Sequence, residues 1–319
     1  MTSSPSHPGS GEQFAQVGDL TLCFETFGDA DAPTVLLVMG IASQMVSWNV
    51  DLCMRIADAG FHVVRYDNRD VGRSSKVDAP PPGGMLKMLT GRGAAYTIVD
   101  MAADAVGLLD HLDVPDAHLV GISMGGMIAQ QTAIDHQPRV RSLTSMASTP
   151  GQYHHGWPTA LAVRGLPTPS ALRGLLKRSD HTREAYLAAI PQRARDIRAV
   201  VTDQDLEDAR ASGALAWDRG IDLRGFARQF AAVSASPDRR GPLRQVDVPT
   251  LVLHGDRDPI FPLVHARATA AAVPDADLVV VPGLGHGLPR SMWDQILPPV
   301  IDHLRGVEDA VGSASTQQA

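Results

Sequence analysis

The chain has 319 residues, 44% hydrophobic and 20% charged, a composition that excludes a disordered or fibrous chain and leaves ample material for a core. A net charge of −7 with no basic stripe argues against a nucleic-acid partner, and the two cysteines, Cys23 and Cys53, cannot build a disulfide framework and read as small buried apolar residues. No apolar run reaches the length of a membrane span, and residues 1–12 lack the apolar segment of a signal peptide, so a cytoplasmic location is expected.

Residues 14–27 alternate in polarity around Gly18-Asp19 and predict an antiparallel pair at one edge of a sheet. After Pro33, Val35-Leu36-Leu37-Val38 is continuously apolar, the pattern of a strand covered on both faces. Residues 48–59 have helical spacing and stop at Gly60; residues 61–66 form a second buried strand, with Asp67 just beyond it. Residues 78–94 are a long Pro/Gly-rich connection. A helix is predicted over 97–112, with Met101, Ala105, Leu108 and Leu112 on one face and Thr97 with Asp100 as an N-capping box. The strand Ala117-His118-Leu119-Val120, a helix over 124–136 ended by Pro138, and a strand over 140–146 follow.

The alternation then stops. Residues 149–245 hold helical patterns and no clear strand, which predicts a helical cap inserted over the sheet. After Pro249 the alternation resumes with a strand over 251–253, a helix near 262–272, a strand over 278–281 and a last helix near 290–304, where Pro298-Pro299 predicts a kink or a late start. The fold class is therefore α/β, a doubly wound, mostly parallel sheet with a helical cap. Its core comprises residues 13–148 and 246–305, its cap residues 149–245, and flexible ends are expected at 1–12 and 306–319. Ligands of such sheets sit at the carboxyl ends of the strands.

One strand end carries chemistry. Gly121-Ile122-Ser123-Met124-Gly125 puts a serine between two glycines, directly between a strand and a helix. A serine on so sharp a turn has an exposed hydroxyl, and the glycines let the helix pass close to the strand. A hydroxyl needs a base and a group to orient that base. His286, in the Gly-rich loop after the last strand, lies on the same rim and is the candidate base. The loop after residues 251–253 offers two carboxylates, Asp256 and Asp258; Asp256 is expected to bond its own turn, and Asp258, beside Pro259, is favoured as the acid. The oxyanion donors expected are the backbone N–H groups of Met124 and of Ile41, in the loop after the first buried strand. Asp67 to Ser74 form a polar cluster that reads as a turn network, with a charged-substrate site as its alternative. No nucleotide fingerprint or metal-ligand spacing is present; His154-His155 reads as cap surface, and no metal or other cofactor is expected. Met39, Met124 and Met127, with aromatic residues of the cap, are candidates to line an apolar pocket, although a methionine stripe is more often core.

These segments, with Leu36 to Gly40, Arg65 to Ser74, Pro249 to Pro259 and Gly285 to Pro289, resemble the serine α/β-hydrolases over most of the chain, and within them the group around aclacinomycin methylesterase. Many such proteins have histidine where this chain has Met39, a change that removes no backbone donor. The resemblance implies the same roles for Ser123, Asp258, His286, Ile41 and Met124, and a carboxylic ester hydrolase working through an acyl-enzyme; the substrate is not carried over, and the cap residues point to a small-molecule ester with a medium-sized apolar acyl or alcohol group. Thioester hydrolysis, C–C bond hydrolysis and cofactor-free perhydrolysis use the same triad and stay open, as does a ligand receptor that retains the fold.

Overall fold

A computed structural model describes residues 9–151, 153–154, 157–158, 182–198 and 201–317. Strands β1 (Gln13–Val17) and β2 (Leu20–Phe27) form the predicted antiparallel pair at the sheet edge. Strands β3 (Thr34–Val38), β4 (His62–Tyr66), β5 (Ala117–Ile122) and β6 (Val140–Met146) follow, then a two-residue ribbon of β7 (Tyr153–His154) with β8 (Trp157–Pro158), and finally β9 (Thr250–Gly255) and β10 (Asp277–Val281). The eight-stranded sheet runs β1-β2-β4-β3-β5-β6-β9-β10. From β4 onward every neighbouring pair is parallel. The strand order reverses around β3, so loops leaving β3, β4, β5, β6 and β9 open on one rim.

The central strands are buried on both faces, which is why they read as unbroken apolar runs. Alternate side chains go to opposite sides. Leu36, Val38, Val64 and Leu119 pack with helices α3 (Ile98–His111) and α4 (Met124–Asp135). Val35, Leu37, Val63 and Val120 pack with α1 (Val50–Ala57) and with the long final helix, α10 (Trp293–Gln317). The capping box forms as predicted: the Thr97 N–H donates to the Asp100 carboxylate at 2.7 Å. Cys23 and Cys53 are buried and unbridged, and burial pushes both thiols up to about 12.

Three segments differ from expectation. The 78–94 connection contains a short helix, α2 (Met85–Thr90). The inserted segment contains the β7–β8 ribbon besides α5 (Arg183–Arg198), α6 (Asp203–Arg219), α7 (Leu223–Ala235) and α8 (Arg240–Leu243). After α9 (Val264–Ala270), helix α10 (Trp293–Gln317) runs through Pro298-Pro299 and on through most of residues 306–319, which were expected to be flexible. The two prolines fall in its second turn, where each removes one N–H from the ladder without ending the helix. Its polar end is tied down by Glu308, which pairs with Arg141 at 2.8 Å and with His118 at 3.0 Å. Among the described residues no helix is long and apolar enough to cross a membrane.

Candidate active site

The turn between β5 and α4 holds Ser123 at φ 59, ψ −121, a region that only a constrained non-glycine residue occupies. Two bonds constrain it: the Ser123 N–H donates to the Met146 carbonyl at 2.9 Å, and Ser148 Oγ donates to the Ser123 carbonyl at 2.7 Å. The glycines beside it are required by close approach. A methyl group on Gly125 would fall on the Val38 carbonyl oxygen, far inside the 3.0 Å that real Cβ atoms keep. The turn is therefore seated directly on β3, whose following loop carries Gly40 and Ile41. A Cβ at Gly40 would lie 3.5 Å from Ser123 Oγ, so that loop passes over the serine.

Ile41 N–H donates no hydrogen bond among the described residues. Met124 N–H, in the first turn of α4, has no intrahelical acceptor to reach. Gly40, the neighbour of Ile41, thus lies against Ser123, and neither the Ile41 nor the Met124 N–H donates a hydrogen bond among the described residues.

Asp258 and His286 are brought together across 28 residues of sequence, Oδ2 to Nδ1 at 2.8 Å. Both are nearly enclosed, 7% and 8% exposed. An ionised carboxylate only accepts, so the ring carries its proton on Nδ1 and leaves Nε2 as the acceptor. The other carboxylate oxygen accepts from the Ile260 and Phe261 N–H groups, each at 2.8 Å. This corrects one expectation. Asp256 does not bond its own turn: its carboxylate accepts from the Gly283 N–H at 2.7 Å, bracing the acid loop against the histidine loop, and Asp258 is the residue that caps its own turn. Ser123 Oγ and the His286 ring are not hydrogen-bonded to one another among the described contacts.

Sequence reasoning did not find His254, Gln229, Arg219 or Arg228. His254 is fully buried at the end of β9; its Nε2 donates to the Phe261 carbonyl at 2.7 Å and lies 3.6 Å from Asp258 Oδ2. Burial lowers its pKa, so it stays neutral and leaves the Asp258 charge for His286. The polar cluster after β4 is a turn network that also anchors the inserted helices. Asp70 receives a two-pronged pair from Arg228 of α7 at 2.7 and 2.8 Å and the Tyr96 hydroxyl at 2.6 Å. Asp67 pairs with Arg219 of α6. Each is a buried pair, costly to break from one side by about 3–5 kcal/mol. Nothing in the sequence says which carboxylates these arginines face.

A cleft of about 270 Å³ lies between α5, α6 and the loops after β3 and β10. Tyr186, Ile190, Ile197 and Leu288 give it an apolar side, Arg193 and Arg290 a polar one. Ser123, Asp258 and His286 are not in its lining. The inserted segment also touches the histidine loop directly: the His286 N–H donates to the Ile197 carbonyl, near the end of α5, at 2.5 Å. Met39, Met124 and Met127 are all buried in the packed core. His155 and the side chains of Tyr153, His154 and Trp157 lie outside the described residues.

A family model described as the alpha/beta hydrolase fold matches residues 33–289. The rhodomycin D methylesterase DnrP of Streptomyces peucetius is 31% identical over 306 residues, covering 90% of this chain and 96% of that protein. The rhodomycin D methylesterase DauP of Streptomyces sp. (strain C5) matches with the same identity and coverage. Among solved structures, the 2-hydroxy-6-oxo-6-phenylhexa-2,4-dienoate hydrolase of Rhodococcus sp. strain RHA1 superposes with a TM-score of 0.69 at 22% identity, covering 92% of this chain and 98% of that one. At that identity the superposition bears on the fold alone.

Proposed function

This chain belongs to the α/β-hydrolase family, and from that premise we propose that it is a serine carboxylic ester hydrolase with Ser123 as nucleophile, His286 as base and Asp258 as the acid that orients it. The observation that carries the reading is the 2.8 Å bond from His286 Nδ1 to a carboxylate otherwise fixed by two backbone N–H groups, on the rim where Ser123 sits at φ 59. His286 Nε2 takes the hydroxyl proton as Ser123 Oγ bonds to the ester carbonyl carbon. The carbonyl oxygen becomes an oxyanion held by the Ile41 and Met124 N–H groups. The C–O bond to the alcohol then breaks, and the alcohol leaves with the proton from His286. Water repeats the sequence on the acyl-enzyme, releasing the acid and restoring Ser123. Asp258 stays ionised throughout and stabilises the imidazolium. No step calls for a cofactor or metal.

Two relatives are named as methylesterases, so a methyl ester of an apolar acid is the substrate class to try first. We assign residues 149–245 as the cap that shapes that choice; its described helices carry an aromatic pair, Tyr186 and Trp217, with ring centroids 5.2 Å apart. Graded p-nitrophenyl and methyl esters test the reading, together with a fluorophosphonate probe of the native chain. Turnover and covalent labelling are expected in the wild type, and Ser123→Ala abolishes labelling and lowers kcat by roughly 10⁴- to 10⁶-fold. Turnover of acyl thioesters with none of simple esters would overturn the esterase assignment; labelling that persists in Ser123→Ala would overturn the nucleophile.

A further inference from the structure

The loop after β3 is held partly from within and partly by residues outside it. Ala42 stands at φ 54, in the left-handed region that alanine occupies only when surroundings impose it. The Gly40–Ile41 peptide is pinned through its carbonyl, which accepts from the Ser43 N–H at 3.2 Å. The Met39 carbonyl is pinned by Asn68 Nδ2 at 2.9 Å. The next peptide, Ile41–Ala42, is held from both sides: its carbonyl accepts from Ser43 Oγ at 3.3 Å within the loop, and its N–H donates to Gln229 Oε1 at 2.7 Å from outside it. Gln229 comes from α7, is 0% exposed, and donates from Nε2 to the Arg69 carbonyl at 2.9 Å in the loop after β4. One buried amide therefore ties together two loops of the catalytic rim and the inserted helices. It helps fix the ψ angle of Ile41, and it occupies the Ala42 N–H, while the Ile41 N–H donates no hydrogen bond among the described residues.

We infer that Gln229 is a positioning residue for the oxyanion hole, so that seating of α7 sets the competence of the loop bearing Ile41; the inference rests on the ester-hydrolase reading above. A side chain acting this way is felt in the transition state and not in ground-state binding. Arg228, its neighbour, is held by Asp70 and Asp222 and fixes α7 in place, which keeps the amide within reach.

Three variants of the full-length chain test it. Gln229→Met removes both hydrogen bonds at similar length. Gln229→Asn keeps the amide and withdraws it by one methylene. Gln229→Glu keeps the acceptor, and burial favours its protonated form, which can donate to the Arg69 carbonyl as the amide does. The readouts are kcat and KM on a p-nitrophenyl ester, affinity for a boronic acid that forms a tetrahedral adduct on the serine, fluorophosphonate labelling, and the unfolding midpoint. Gln229→Met and Gln229→Asn are expected to lower kcat and boronate affinity together by roughly 10- to 100-fold, with KM within about threefold of wild type, and Gln229→Glu to recover most of the loss. If Gln229→Met does not fold, Gln229→Asn decides. Folded variants that keep wild-type kcat and boronate affinity, or that change KM alone, overturn the role of Gln229 while labelling of Ser123 in the wild type stands. A wild-type chain that the probe does not label overturns the underlying reading, and this inference with it.

Discussion

Asp258 divides its two oxygens between two tasks, and the division makes a single-atom change informative. One oxygen caps the turn through the Ile260 and Phe261 N–H groups; the other accepts from His286. In Asp258→Asn the amide keeps its oxygen toward the two backbone donors, since the reverse would face N–H against N–H. Its NH₂ then points at His286 Nδ1 and forces the proton to Nε2, where the ring can no longer accept from Ser123. The expected result is a loss of roughly 10⁴-fold in kcat with the fold intact, read by ester turnover beside circular dichroism. Asp256→Asn provides the contrast. Its carboxylate accepts from the Gly283 N–H, a bond an amide oxygen also makes, so activity within a few-fold of wild type is expected. A deeper loss in Asp256→Asn than in Asp258→Asn would reverse the assignment of the acid.

Elements approach one another here to the limit that side chains allow, and Gly125 marks one of the closest points. A glycine-to-alanine change inside a helix ordinarily gains about 1 kcal/mol. In α4 the added methyl meets a backbone carbonyl of β3, which cannot rotate away as a side chain would. Gly125→Ala is therefore expected to destabilise the chain by about 3 kcal/mol or more in urea unfolding, and to displace Ser123 in whatever folds. A neutral result would mean that α4 and β3 are not in contact. The same contrast between local and distant causes explains what the sequence disclosed. The sheet strands were legible because burial on both faces leaves continuous apolar runs, and the Ser123 turn because it demands glycine at fixed offsets. The helix over 97–112 was legible through its capping box. Gln229 and His254 were not, because a buried polar residue in a helix or strand carries no local pattern; its meaning lies in partners such as Ala42, 187 residues away. The reach of α10 was missed for the same reason. Its polar end is held by Arg141 and His118, neither of which is near it in sequence.

The molecule as a whole buries several histidines that its mechanism does not use, and this sets its response to acid. Burial lowers the pKa of His62, His118, His254 and His303 below that of the free side chain. For His118 the fall is to about 4, burial outweighing the pull of Glu308. The unfolded chain takes up protons on these rings near pH 6.5, whereas the folded chain takes them up at lower pH, about 4 for His118. Between the two values the unfolded state binds more protons, so stability falls as the pH falls, and the slope levels off once the folded rings also protonate. From pH 7 to pH 5, His118 alone accounts for about 2 kcal/mol of lost stability. Urea midpoints of wild type and His118→Gln at those two pH values check this. The substitution lowers stability at pH 7, because Ser142 and Glu308 lose a partner matched to them at 2.8 and 3.0 Å. Its loss between pH 7 and pH 5 is nonetheless expected to be smaller than that of wild type by about 2 kcal/mol. Equal losses would mean that His118 carries a proton in the folded chain at pH 5, and that Glu308 holds the end of α10 as one half of an ion pair.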